Sequence, residues 1–150
     1  MSSKLYTKIL IATDGSEYTK NAVDYGIDLA KNSGAKIITI YVVDTAAFAS
    51  IPMDAAWESM YELLRQEGDV AMKYVEEKAG EEGLEVEANI IEGHPADEII
   101  KYSEKNSISL IVLGTLGKSG LDRFLLGSVA EKVVRNSKIP VLVVRGTNKK

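Results

Sequence analysis

The chain contains no cysteine, only one histidine, and no apolar stretch that reaches the ~20 residues a membrane-spanning helix needs. The first absence excludes disulfides, thiolate metal sites and cysteine nucleophiles, and it leaves the redox compartment unreadable. Around a solitary His94 no nucleophilic triad is legible, and no acidic cluster shows metal-ligand spacing, so a dedicated hydrolase has no visible machinery. A basic face is missing too. The formal charge is −4, and only Lys4, Lys8, Lys149 and Lys150 make the termini locally basic. Nucleic-acid binding, which depends on displacing counterions from phosphates, is thereby disfavoured, and no membrane partner is expected. Residues Met1 to Lys8 show no apolar signal core, so the expected location is cytoplasmic.

What is present is an ordinary globular composition: 150 residues, 45% apolar and 27% charged, enough for one domain spanning 1–150 with a single core. Five runs read as strands: Ile9–Thr13, Lys36–Val43, Glu85–Ile91, Ser109–Gly114 and Val141–Arg145. Four are nearly continuous in apolar character, as strands covered on both faces are, whereas Glu85 to Ile90 alternates like a sheet edge. Between them, Glu17–Ser33, Asp54–Gly80, Pro95–Asn106 and Ser128–Ser137 have helical spacing. Ser16 is placed to cap the first helix and Gly34 to end it in the left-handed conformation. His94 sits at a cap position before Pro95, with Asp97 and Glu98 in the positive first turn. Strands separated by single helices cannot be hairpins, so right-handed crossovers predict an α/β parallel sheet with helices on both faces. Ligands of such sheets bind beyond the carboxyl ends of the strands, where the Asp14, Asp44 and Gly114 loops emerge.

Two segments interrupt this regularity. Asp44 to Met53 is a long, fairly apolar connection, readable as a lid or as a segment folded against its own helix or a partner subunit. Gly68 breaks the helical pattern that follows.

The densest signal for chemistry is Gly114 to Glu131, which leaves a strand, passes spaced glycines and opens a helix. Glycine admits close approach of an anion, and a helix N-terminus favours negative charge, so a nucleotide is the leading ligand. Gly117-Lys118-Ser119 is not a P-loop, because Val112 stands where that motif needs glycine. Gly114, Gly117 and Gly120 do not match the dinucleotide pattern G-x-G-x-x-G either.

What remains is Gly-x2-Gly-x9-Gly-Ser. Together with Ile11-Ala12-Thr13-Asp14-Gly15-Ser16, Tyr41-Val42-Val43-Asp44, Gly93-His94-Pro95 and Gly127-Ser128-Val129-Ala130-Glu131, it resembles the ATP-binding branch of the universal stress protein family over nearly the whole chain. The resemblance implies a Rossmann-like, doubly wound five-stranded parallel sheet of order 3-2-1-4-5, with ATP across the ends of strands one and four. It places Ala12 and Val42 by the adenine, Thr13 beside them, and Asp14 at the ribose or the metal–phosphate region. Leu113 and Gly114 would flank the nucleotide. Gly117, Gly127 and Ser128 would hold the phosphates, with Val129 and Ala130 behind. Magnesium or manganese would be held mainly by the phosphates, with Asp14 reaching it through water. Ala12 stands where ATP-binding members often carry proline, and Ala130 where many carry a hydroxyl. Leu116 replaces a polar residue, leaving Lys118 and Arg123 as countercharges.

Other readings stand beside these. Ser128 to Glu131 has the form of a capping box, and Asp14-Gly15 that of a turn closed by the aspartate side chain. At the level of function, the resemblance implies a nucleotide-dependent stress-response switch with at most slow hydrolysis. The rivals are a nucleotide-free interaction module, a homodimer through Val141, Leu142, Val143 and Val144 that serves an unknown protein partner, and a substrate-adenylating enzyme.

Overall fold

The computed structural model describes residues 5–115 and 126–146. Its strands are β1 (Lys8–Ala12), β2 (Lys36–Asp44), β3 (Val86–Gly93), β4 (Leu110–Gly114) and β5 (Val141–Val144). Its α-helices are α1 (Glu17–Ser33), α2 (Ala55–Glu81), α3 (Pro95–Lys105) and α4 (Ser128–Asn136). Every strand pairing is parallel, and the order is β3-β2-β1-β4-β5. The alternation of single strands and single helices thus resolves into the doubly wound sheet expected.

Side-chain alternation sorts the core onto the two faces. Ile9, Ile11 and Ile37 meet Val23, Ile27, Val75 and Ala79 from α1 and α2. Leu10, Ile38, Ile40 and Ile111 meet Ala96, Ile99, Ala130 and Val133 from α3 and α4 on the opposite face. β3 is an edge, and its exposed Glu87 and Glu92 account for its alternating sequence. β5 is the other edge, as the order 3-2-1-4-5 implies, but it is not covered as its continuous apolar run suggested: Val141, Leu142 and Val143 are only half-buried, because a strand with one neighbour and a short helix over it is incompletely covered.

The ends of α1 follow the sequence only in part. Gly34 adopts φ +76 and returns its N–H to Ala30 O at 2.9 Å, as a left-handed terminator does. Ser16 occupies the N-cap position, but its hydroxyl makes no capping bond and its Oγ is buried without a partner among the described residues. The Thr19 N–H that a cap would serve bonds the Ser16 carbonyl instead, at 3.2 Å, and the Thr19 hydroxyl donates to the same carbonyl.

The connection from Asp44 is folded down. Thr45–Phe48 forms a single 3₁₀ turn whose first residues are capped by Asp44 Oδ1, accepting from Ala47 N at 3.0 Å. Phe48 is 2% exposed, and its ring lies 5.2 Å from that of Trp57, which stacks on Tyr61 at 5.5 Å. Packing against its own helix is therefore the arrangement adopted.

Gly68 does not break α2, which runs unbroken for 27 residues. The glycine is there for proximity: a Cβ at this position would lie 2.7 Å from a ring carbon of Tyr41, itself 2% exposed. Without a side chain at this position, the helix can lie directly on β2. Gly68→Val should overpack this contact and destabilise the fold by about 1–3 kcal/mol, measured by urea denaturation.

Candidate functional site

β1 ends at Ala12, whereas its neighbours β2 and β4 continue to Asp44 and Gly114. The sheet order also reverses between β1 and β4, so a crevice opens at the carboxyl edge. A cavity of about 280 Å³ occupies it. Of the residues singled out from sequence, Ala12, Thr13, Asp14, Val42, Leu113, Gly114, Gly127, Ser128, Val129 and Ala130 all line this cavity. Gly117 lies outside the described residues, as do Leu116, Lys118, Gly120 and Arg123.

The floor is polar through backbone. The bond from Thr13 N to Ile40 O, at 3.2 Å, closes the β1–β2 ladder. Val42 lies two residues further on, so its N–H and C=O turn to the same side as those of Ile40, where β1 has already ended. This leaves an adjacent donor and acceptor facing the cavity. Apolar walls stand around them: Ile40, Tyr41, Leu64, Ile99 and Leu113.

The opposite end is the start of α4. Gly127 donates its N–H to Thr115 O at 2.6 Å, which ties the helix to the end of β4. Glu131 N to Gly127 O, at 2.9 Å, is the first intrahelical bond. The N–H groups of Ser128, Val129 and Ala130 therefore lack intrahelical acceptors, and the helix dipole adds positive potential. An anion fits here.

This geometry corrects the capping-box reading. The N-cap residue is Gly127, and Ser128 is already the first residue of the helix. Its exposed hydroxyl makes no hydrogen bond to the described residues, and Glu131 pairs instead with Arg135 at 3.5 Å. The close bond from Gly127 to Thr115 shifts the helix start by one residue, which a local sequence pattern does not register.

Asp14 forms the turn considered for it, its Oδ1 accepting from Ser16 N at 2.9 Å, and also lines the cavity. Gly15 completes that turn at φ +81, a conformation that L side chains rarely adopt. His94 occupies the N-cap of α3 without a side-chain capping bond, and its Nδ1 lies 3.8 Å from Asp97 Oδ2. Asp97 also meets Lys132 of α4 at 3.1 Å, joining the two helices that flank the anion end. Among the described residues no group of three or more His, Asp or Glu could hold a metal ion.

Several lining residues escaped the sequence reading. Leu64 belongs to the helical stripe Tyr61, Leu64, Gly68, Ala71, Val75, so its spacing signals burial without revealing against what. Thr19 and Ile99 carry the same ambiguity. Outside the lining, Tyr61 donates its hydroxyl to Glu92 at 2.6 Å, a bond that raises the phenol above the usual tyrosine range and links α2 to the end of β3.

Because Ser128 is not a cap, Ser128→Ala should leave the ligand-free chain within ~0.5 kcal/mol of the parent in chemical denaturation. Loss of a true serine cap would cost ~1 kcal/mol.

The sequence profile described as the universal stress protein family matches residues 5–145. Among individual proteins, the chain is 46% identical over 145 residues to universal stress protein MJ0531 of Methanocaldococcus jannaschii, covering 97% of this chain and 85% of that one. It is 34% identical to universal stress protein YxiE of Bacillus subtilis, covering 94% and 100%. Among solved structures, protein MJ0577 superposes with a TM-score of 0.83 at 30% identity, covering 97% and 99% of the two chains. A universal stress protein in complex with cAMP superposes at 0.70 with 25% identity, covering 95% and 98%. No helix among the described residues is long and apolar enough to cross a membrane. With the doubly wound 3-2-1-4-5 sheet and these matches over nearly its full length, the chain belongs to the universal stress protein family.

Proposed function

We propose that the chain binds ATP in the crevice between β1 and β4 and that occupancy acts as a stress-response switch, with at most slow hydrolysis. The observation that carries this reading is the presence, in one cavity, of a backbone donor–acceptor pair at Val42 and the unbonded first turn of α4. The Val42 N–H matches the adenine ring nitrogen and its C=O the exocyclic amine. Guanine presents the opposite pattern at both positions. Ala12 and the apolar walls cover the ring, Leu113 and Gly114 flank the nucleotide, and Asp14 meets the ribose or the metal–phosphate region. The phosphates lie against Gly127 and Ser128, with Val129 and Ala130 behind them and Gly117 as a further contact. Magnesium or manganese is carried mainly by the phosphates, and Asp14 reaches it through water. A solved relative in complex with cAMP supports an adenine nucleotide in this fold. The absent hydroxyl at Ala130 removes one phosphate hydrogen bond, worth ~1 kcal/mol net, so it weakens binding without abolishing it.

The test is to denature the purified protein, identify any released small molecule by mass spectrometry, and titrate the emptied protein with nucleotides by calorimetry. ATP should bind at least about tenfold more tightly than GTP, since each buried polar group left mispaired costs ~1–3 kcal/mol. Gly127→Val should abolish binding by filling phosphate space. An empty extract with no heat from ATP at millimolar concentration would overturn the reading.

A second element of the proposal concerns assembly. Ile111 N bonds Pro140 O and Thr115 N bonds Val144 O, so residues 140, 142 and 144 face β4. The N–H and C=O groups of Val141 and Val143 therefore point away from the sheet, which favours pairing of this edge with that of a second copy. Val143→Pro removes an outward N–H while sparing the bonds to β4. Sedimentation should show a dimer for the parent and a monomer for this variant.

A further inference from the structure

The turn that carries Asp14 is held from beneath by two buried hydroxyls. Thr13 is 9% exposed and Thr19 6%, and their Oγ1 atoms lie 2.9 Å apart. Each hydroxyl has one proton, and this sets the direction of the network. The Ser16 carbonyl can only accept, so Thr19 donates to it at 2.9 Å and receives from Thr13. Thr13 Oγ1 in turn accepts from Gly15 N at 3.1 Å. Ser16 N then donates to Asp14 Oδ1 at 2.9 Å, and Thr19 Oγ1 stands 3.4 Å from the same oxygen. Ser16 is thus gripped on both sides of its Cα: its carbonyl takes the Thr19 proton, and its N–H, part of the preceding peptide group, holds the Asp14 carboxylate. The network closes around a glycine at φ +81, a turn with little freedom to settle elsewhere once the hydroxyls are satisfied. Thr19 belongs to α1, so the helix and the ligand-facing carboxylate are joined through one side chain.

The geometry points to Thr19 as a positioning residue of the nucleotide site, fixing the backbone of Ser16 and so holding the Asp14 carboxylate in the cavity. This rests on the nucleotide reading and deepens it, by assigning control of Asp14 to a hydroxyl within α1. A role confined to the start of that helix would affect stability regardless of what Asp14 does. Positioning requires that the effect of Thr19 on binding vanish when the carboxylate is absent.

The experiment is calorimetric titration of ATP into the parent, Thr19→Val, Thr19→Ser, Asp14→Ala and the Asp14→Ala/Thr19→Val double variant, each checked for folding by circular dichroism. Thr19→Val should weaken binding about tenfold, the scale of one charge-assisted hydrogen bond. Thr19→Ser, which keeps the hydroxyl, should restore most of the affinity. In the Asp14→Ala background Thr19→Val should add less than about a twofold loss, the signature of coupled neighbours. Without nucleotide, amide exchange at Ser16 should accelerate in Thr19→Val and not in Thr19→Ser. Parent-like affinity in Thr19→Val, an undiminished loss in the double variant, or unchanged exchange at Ser16 each overturns the proposal alone. A parent protein that gives no heat with ATP overturns the nucleotide reading and this proposal with it. If Thr19→Val does not fold, Thr13→Val interrupts the same network one hydroxyl earlier and must show the same pattern.

Discussion

Ending β1 at Ala12 while its neighbours run on is the constraint on which the site depends. A parallel sheet satisfies its backbone by continuous pairing, and a central strand that stops early leaves the next groups on its neighbour unpaired. Here those groups are the N–H and C=O of Val42, whose side of β2 is vacated once Thr13 has bonded Ile40. The order β3-β2-β1-β4-β5 places this gap where the crossovers diverge, so helices from both faces reach its rim without covering it. The polar floor of the cavity follows from one strand being short.

The two ends of the cavity are built by different means. At α4, the described residues offer backbone: Gly127 is tied to Thr115, and the first turn of the helix is left with unbonded donors. At the β1 end, a side chain is held by side chains. Asp14 is anchored through Ser16, and Thr13 and Thr19 lock the turn from below. The first arrangement tolerates substitution of side chains, which suits the alanine at position 130. The second depends on specific hydroxyls.

α2 shows how an extended helix is brought into service at the same site. Gly68 lets it lie against Tyr41, and this close approach carries Leu64 to the cavity wall. Further out, Phe48 packs at a tilt on Trp57, Trp57 stacks on Tyr61, and Tyr61 binds Glu92 at the end of β3. The apolar connection after β2 is thereby fastened to the helix it precedes. A change in the position of α2 would be felt by both the cavity and this aromatic cluster, since Leu64 lies within one turn of Tyr61.

By itself the sequence determined the elements and their strand–helix alternation. Apolar runs, the Gly34 terminator and Pro95 after His94 are local signals, and local backbone physics is enough to act on them. The resemblance to the universal stress protein family also marked most of the cavity lining, Ala12 to Asp14, Val42, Leu113 to Gly114 and Gly127 to Ala130. Tertiary structure alone decided the rest. Gly68 reads as a helix breaker until the Tyr41 ring is seen beneath it, and Ser128 reads as a cap until Gly127 is drawn onto Thr115. Leu64, Ile99 and Thr19 carry nothing in sequence beyond helical spacing that marks burial. Periodicity tells which side of a helix is buried, but the identity of what it is buried against depends on strand register and helix approach, which are set by contacts between residues far apart in the chain.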